Sequence, residues 1–416
     1  MRKIYLDYAA TTPVDKEVNK EMQPYFSDKF GNPLSIHSFG QEAQEGVIRA
    51  RQRVAAFLGC QPSEIIFTSG ATESNNLAIR GIIKKIRTGN NIGFKPHIIT
   101  SPIEHHCVLD TCHDLERRDR ASVTYLPISR EGIVRIQDIE KAISEDTRLI
   151  SIMYANNEIG TIQPIRQIGQ LVKKINAKRS FQKKIVFHTD AVQASYYLDC
   201  RVDRLGVDLL SLSAHKIYGP KGIGALYVRK GTPLAKIQEG GSQEYNLRAG
   251  THNVPGIIGL GAAISQIQNN KSQVEKIGRL RDKLIEGVLK LVPESQLNGS
   301  RKHRLPNNAN FSFPGAEGES LLVSLDQNGV AVSTGSACAA RSLEPSHVLL
   351  AIGLKPEEAH CSLRMTLGKY TTDKDIDYVL KILPQIVERL KRISGQAFSE
   401  IKADKKDKNK DEDFGC

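Results

Sequence analysis

From about residue 60 to residue 230, short apolar runs alternate with stretches of helical spacing. Seven runs have strand length: Ile65-Ile66-Phe67, His97-Ile98-Ile99-Thr100, Val123-Thr124-Tyr125-Leu126, Leu149-Ile150-Ser151-Ile152-Met153, Lys184-Ile185-Val186-Phe187, Val207-Asp208-Leu209-Leu210-Ser211 and Ala225-Leu226-Tyr227-Val228. Such near-continuous apolar runs read as buried strands. Over residues 41–58, Ala43, Val47, Ala50, Val54 and Phe57 recur at helical spacing, and a second helix is expected near 167–177. Strands alternating with helices predict an α/β fold, with a mostly parallel sheet covered on both faces. Sheets of this kind take their ligands beyond the carboxyl ends of the strands.

The texture changes near residue 262. Val274, Ile277, Leu280, Leu284, Val288 and Leu291 mark a long amphipathic helix. Strand-like Asn310-Phe311-Ser312-Phe313 and Val330-Ala331-Val332 follow, then a helical stretch over about 373–393 that Pro384 should kink or split. A chain of 416 residues exceeds one simple core. The expected division is a segment 1–15 joining a small domain, a large domain 16–261, a small α+β domain 262–400 and a tail 401–416. The tail alternates Lys and Asp with almost nothing apolar, and it is expected to be disordered.

Composition narrows the class. No apolar run approaches the roughly 18 residues that a membrane span needs. Met1-Arg2-Lys3 leads at once into strand-like Ile4-Tyr5-Leu6, which is not the pattern of a signal or transit peptide, so a cytoplasmic location is expected. Seven cysteines, at 60, 107, 112, 200, 338, 361 and 416, are then expected to be reduced, and one of them is a candidate catalytic thiol. The net charge of +12 raises the question of nucleic acid. The basic residues are scattered without a stripe or interleaved aromatics, so direct nucleic-acid binding is not expected, although a basic surface would attract an acidic protein or tRNA.

Several local patterns carry chemistry. Ser213-Ala214-His215-Lys216 follows an apolar strand. An ammonium is costly to desolvate there, and desolvation makes a lysine a better nucleophile toward an aldehyde. Alone, the pattern reads equally as a surface lysine before the turn Gly219-Pro220. Asp190 ends another apolar run, in Phe187-His188-Thr189-Asp190-Ala191-Val192-Gln193, where it suits the pyridinium nitrogen of pyridoxal phosphate (PLP), or simply caps a helix. Gln193 is placed to donate to a ring hydroxyl. Thr68-Ser69-Gly70-Ala71-Thr72-Glu73-Ser74-Asn75-Asn76 should open a helix whose N-terminus suits a phosphate, or forms a capping turn with no ligand.

Glu104-His105-His106-Cys107, with Cys112 and His113, lacks any zinc-ligand spacing, so no metal is expected. His105 suits stacking on a cofactor ring or acid–base work; its bland reading is a structural histidine. Asn156 and Asn157 follow a strand, where an amide can bind a ring hydroxyl or a substrate carboxylate, or simply favour a turn. Gly219-Pro220-Lys221-Gly222-Ile223-Gly224 lacks the order of a phosphate loop and reads as a turn. Cys338 lies among small residues in Ser333-Thr334-Gly335-Ser336-Ala337-Cys338-Ala339-Ala340-Arg341, which reads as a mobile loop. Arg364, in Ser362-Leu363-Arg364-Met365, suits a bidentate pair with an amino-acid carboxylate.

In this order, together with Tyr5-Leu6-Asp7-Tyr8-Ala9-Ala10-Thr11-Thr12, the motifs resemble the cysteine desulfurases of the IscS/NifS type, within the class V aminotransferase-like PLP enzymes. The likeness runs to about residue 393 and implies the fold type I, aspartate-aminotransferase-like architecture. By it, Lys216 matches the Schiff-base lysine, His105 the ring-stacking histidine, and Asp190 and Gln193 the ring-nitrogen and ring-hydroxyl contacts. Thr72, Ser213, His215 and the Ala71 backbone match phosphate binders. Thr251, in Arg248-Ala249-Gly250-Thr251, matches a phosphate contact supplied by the other subunit of a homodimer. Asn157 and Arg364 match the substrate carboxylate site, and Cys338 the persulfide cysteine.

The activity so implied converts L-cysteine to L-alanine and leaves a persulfide on Cys338. The sulfur would pass to an iron–sulfur scaffold protein or to tRNA thiolation. Rival readings are another class V PLP enzyme, such as an aminotransferase or selenocysteine lyase, and a PLP-binding scaffold without catalysis. Residues 240–247 are less glycine-rich and less basic than the family usually shows, and the Lys/Asp tail with Cys416 matches no family pattern.

Overall fold

The apolar runs form strands. In the computed structural model, which describes residues 3–88, 93–268, 270–334 and 344–411, the strands are, in chain order, β1 (Ile4–Tyr5), β2 (Ile65–Thr68), β3 (His97–Thr100), β4 (Ser122–Tyr125), β5 (Thr147–Ser151), β6 (Val186–Asp190), β7 (Leu209–Ser213), β8 (Gly224–Val228), β9 (Gln296–Leu297), β10 (Asn308–Ser312), β11 (Val330–Ala331) and β12 (Ser362–Thr366).

Contacts divide the chain into two units. The larger comprises Ala9–Glu275 and Ser300–Leu305; the other comprises Met1–Tyr8, Lys276–Gly299 and Pro306–Cys416. The boundaries thus fall at residues 8/9 and 275/276, not at the expected 15/16 and 261/262. Backbone pairing explains the first: Thr12 N–H donates to His215 O and Asp15 N–H to Tyr218 O, which binds this stretch to the larger unit. The second follows from the helix Val254–Ile267, whose Ile257, Leu260 and Ile264 are all buried. A helix apolar all round belongs in a core. It packs on the helix Ser38–Leu58 so closely that a Cβ on Gly261 would lie 2.8 Å from Ala50 Cα.

In the larger unit, one seven-stranded sheet runs in the order β2-β8-β7-β6-β5-β3-β4. Its pairs are parallel except for β8, which runs antiparallel to both β2 and β7. Every residue of β2, β3, β5, β6 and β7 is buried, as in a parallel sheet covered on both faces. The helices Ala71–Ile86 and His106–Arg117 place Leu77, Ile79, Ile82, Val108 and Cys112 in the core beneath this sheet.

The smaller unit has a three-stranded antiparallel sheet, β12-β10-β9, and a parallel pair, β1-β11. Its last helix is one element, Asp373–Asp411; Pro384 lies inside it without ending it, and the stretch expected to lack structure continues it. Proline removes one N–H and leaves the Leu380 carbonyl without its helical donor. Beyond it, residues 396–411 contain neither proline nor glycine, the two residues that most disfavour helix. No helix among the described residues is long and apolar enough to cross a membrane.

The helix Ile165–Asn176 meets the chain at Gly169, where a Cβ would fall 2.1 Å from Leu205 O. Alanine in a free helix interior would stabilise by about 1 kcal/mol relative to glycine. Here we expect the opposite sign: Gly169→Ala should lower stability by about 1–3 kcal/mol through overpacking. Urea unfolding followed by circular dichroism checks this, and an unchanged or raised midpoint would refute the close approach.

Candidate active site

Two candidate residues emerge at the carboxyl ends of neighbouring strands. Asp190 is the last residue of β6, and β6 pairs in parallel with β7, Asp190 opposite Ser211. Lys216 closes the single 3-10 turn Ala214–Lys216 that follows β7 directly. Asp190 is buried, and both its oxygens are used: Oδ2 accepts from Asn75 Nδ2 at 2.7 Å and Oδ1 from Val192 N at 2.9 Å. Asn75 also donates from Nδ2 to Cys107 Sγ at 3.1 Å, and its buried Oδ1 meets no donor among the described residues.

The segment from Ala9 to Thr12 lies across the turn that carries Lys216. Lys216 Nζ donates to Ala9 O at 2.5 Å and Ala10 O at 2.7 Å, and Gln193 Nε2 donates to Ala9 O at 3.0 Å. Thr12 Oγ1 donates to His215 O and accepts from Tyr218 N–H, while His215 Nδ1 lies 3.1 Å from Thr11 Oγ1. Burial, followed by the neighbouring Lys216 and Lys221 charges, pushes His215 down to about 4. At neutral pH the ring is therefore uncharged.

His105 caps the helix His106–Arg117. Its Nδ1 accepts from Cys107 N–H at 3.1 Å, which leaves the ring proton of the neutral form on Nε2. The preceding Glu104 is fully buried. It accepts from Ser101 Oγ at 2.6 Å and from Met153 N–H at 3.0 Å, and so ties the loop after β3 to the end of β5. Burial is the main reason its carboxyl rises to about 8, and the Asp190 charge adds to the rise. Asn156 makes a second tie: Nδ2 donates to Ile103 O, while Oδ1 accepts from Glu158 and Ile159 N–H. Asn156 is thus a structural staple, and Asn157 beside it is half-buried.

The helix Ala71–Ile86 starts from Gly70 at φ 154, and Thr72 is exposed in its first turn. Next to Thr72, Glu73 accepts from Ser69 N–H at 2.6 Å and Arg248 Nε at 2.9 Å. Burial raises the Glu73 carboxyl, but the Arg248 and Ser69 bonds together bring it below its ordinary value. Ser213, buried, ends β7 within the same unit. Thr251 is exposed, just after Gly250 at φ 106.

Comparison with known proteins fits this arrangement. The aminotransferase class-V family model matches residues 4–379. The chain belongs to the aminotransferase class-V family. It is 53% identical to the cysteine desulfurase IscS of Dictyoglomus turgidum, covering 94% of this chain and 96% of that one. It is 44% identical to a human cysteine desulfurase, covering 95% of this chain and 84% of that one. Among solved structures, a NifS-like protein aligns with a TM-score of 0.85 at 39% identity, over 93% of this chain and all of the other. The structure of SspA in complex with cysteine aligns at 0.76 and 41% identity, over 89% of this chain and all of the other.

Two further candidate residues of this class V chain lie apart from that cluster in sequence. Arg364 belongs to the smaller unit. It sits buried in β12 opposite Asn310 and donates from Nη2 to Asp7 Oδ1 at 2.9 Å. The backbones of Arg364 and Ser333 pair in an isolated antiparallel bridge. Cys338 itself lies outside the described residues.

Sequence reasoning missed Asn75, Glu104 and the Ala9–Thr12 contacts. Asn75 stands on the helical repeat of the core-facing side with Ala78, Ile79 and Ile82, a place where an amide needs a partner. That was a usable signal. Nothing local marked Ala9 and Ala10, which act through backbone carbonyls.

Glu104 gives a pH prediction. Its carboxyl rises from 4.5 to about 8, so the folded state holds a proton that the unfolded state releases earlier. Its contribution to stability is greatest below pH 4.5 and declines as pH rises toward about 8. Glu104→Gln should therefore show a shallower fall in melting temperature between pH 5 and 8 than the parent. Equal slopes would mean that Glu104 is already ionised at the lower end.

Proposed function

We propose that the chain is a cysteine desulfurase that holds PLP at this site, converts L-cysteine to L-alanine and keeps the sulfur as a persulfide on Cys338. The observation that carries the reading is the placement of Asp190 and Lys216 at the ends of adjacent parallel strands, with Asp190 oriented by Asn75. Members of the class V family are PLP enzymes, and the donor set here fits that cofactor. Lys216 offers an amine to its aldehyde, Asp190 a carboxylate to its ring nitrogen, Gln193 an amide to its ring hydroxyl, and His105 a flat ring for stacking. The Ala71 backbone, Thr72, Ser213 and His215 would hold the phosphate, and Thr251 of a second copy would complete that site. Asn157 and Arg364 would take the substrate carboxylate.

Bound there, PLP supplies an electron sink that acidifies the substrate Cα–H and weakens the Cβ–S bond. Lys216 moves the proton at Cα. The Cys338 thiolate attacks the substrate sulfur; the S–S bond forms as the C–S bond breaks, and the carbon skeleton takes up a proton and leaves as alanine. One sulfur atom moves in total, and no outside oxidant is needed.

The five other cysteines among the described residues support the choice of Cys338. Burial pushes Cys60, Cys107 and Cys112 up to about 12, and it also raises Cys200 and Cys361. None of these presents an appreciable thiolate fraction at neutral pH, and the thiolate is the nucleophile. Exposed Phe26, Phe30, Leu34, Ile36 and Phe39 form an apolar stretch that supports association of two copies. The proposed setting is cytoplasmic, with the sulfur passing to an iron–sulfur scaffold protein or to tRNA thiolation.

Two variants test the reading. Asp190→Asn removes the carboxylate at nearly constant shape and should lower alanine formation at least about a hundredfold. Cys338→Ser should still bind PLP and change its absorbance on adding L-cysteine, yet release little alanine. Pyruvate as the product, or undiminished alanine from Cys338→Ser, would favour a different class V reaction.

A further inference from the structure

The turn that presents Thr251 is held by a buried carboxylate. Glu244, Tyr245 and Asn246 adopt φ of 46°, 57° and 62°, three successive non-glycine residues in the left-handed region. L-residues enter that region at a cost, so a run of three needs compensation from its surroundings. Glu244 provides it. Its side chain is 2% exposed and accepts four hydrogen bonds from three segments of the chain.

Arg51 grips it with both Nη atoms, at 2.9 Å to Oε2 and 2.5 Å to Oε1. Phe67 N–H donates to Oε2 at 2.7 Å, and His252 Nε2 lies 2.8 Å from Oε1. Arg51 is anchored in turn: it donates to Ile65 O and stacks over the Phe67 ring, 4.5 Å from its centre. Two more ties flank Glu244: Gly250 N–H donates to Gln243 Oε1 at 3.1 Å, and Arg248 pairs with Glu73. The exposed Thr251 is thus bracketed by Gly250 and His252, both fixed to the same short segment.

Among the described residues, the partners of Glu244 are Arg51 of the helix Ser38–Leu58, Phe67 of the buried edge strand β2 and His252, the residue after Thr251. Arginine and glutamate are rarely this buried unless paired, and the pairing here is bidentate. A packing role alone would be served by apolar residues of similar size. We infer that Glu244, braced by Arg51, is a positioning residue that sets Thr251 for the phosphate of PLP bound to a second copy of the chain. This rests on the reading above that Thr251 serves the partner's phosphate site.

The test uses PLP-loaded dimers and reads the rate of PLP release into a scavenger. Glu244→Gln should release PLP about tenfold faster or more, while its binding of pyridoxal, which lacks the phosphate, stays unchanged. Mixed dimers locate the effect, with Lys216→Ala used to blank one of the two sites. When one chain carries both Lys216→Ala and Glu244→Gln and its partner is unaltered, the surviving site faces the weakened turn and should release PLP fast. When Lys216→Ala and Glu244→Gln are on opposite chains, the surviving site faces an intact turn and should release PLP at the parental rate. The reverse pattern, or equal loss of pyridoxal, would overturn the inference in favour of a role confined to one chain. Fast release in Thr251→Ala together with parental release in Glu244→Gln would overturn this inference alone, whereas parental release in Thr251→Ala would overturn the underlying assignment. Should Glu244→Gln fail to fold, Gln243→Ala cuts the exposed tie to Gly250 and must give the same mixed-dimer pattern.

Discussion

Everything around the site answers one constraint: a carboxyl group and an amine must be kept at the ends of two adjacent strands without full access to water. Burying such groups is costly unless each is hydrogen-bonded. The fold meets the cost with residues drawn from distant parts of the chain. Asn75 comes from the helix after β2 to reach Asp190. Ala9 and Ala10 come from the N-terminal segment, through their carbonyls, to reach Lys216. The parallel sheet makes this possible, because its strand ends open on one edge where helices and loops converge.

A second layer of buried and half-buried acids holds the loops that carry the candidate ligands. Glu104 joins the His105 loop to the end of β5, close to Asn157, and Glu73 joins the helix that bears Thr72 to Arg248. Glu244 fastens the turn on either side of Thr251 to the helix Ser38–Leu58 and to β2. Each of these acids spans two elements far apart in sequence. Each converts a loop, which by itself has little to hold it, into part of the sheet's framework.

The architecture was largely legible because its strands are apolar on both faces and short, so β2 to β8 stand out between helical stretches. The positions of Asp190 and Lys216 were legible for the same reason: each follows directly on an apolar run. What escaped was non-local. No periodicity announces that Glu244 will meet Arg51, and residues 240–247 seemed merely poorer in glycine than related chains. The helix Val254–Ile267 escaped because it is apolar all round and offers no polar face to set its phase. The Lys/Asp-rich stretch up to Asp411 has almost nothing apolar, yet helix needs no core where intrinsic propensity favours it.

The central claim is that sulfur leaves L-cysteine on Cys338 while the carbon skeleton leaves as alanine. It is tested most directly by a single turnover of the PLP-loaded protein with L-cysteine, without thiol reductant, followed by mass mapping of every cysteine peptide and amino-acid analysis. The account predicts alanine and one persulfide sulfur in equal amounts, the sulfur on the peptide containing Cys338. Sulfur on any other cysteine, or alanine formed with no protein-bound sulfur, would contradict it.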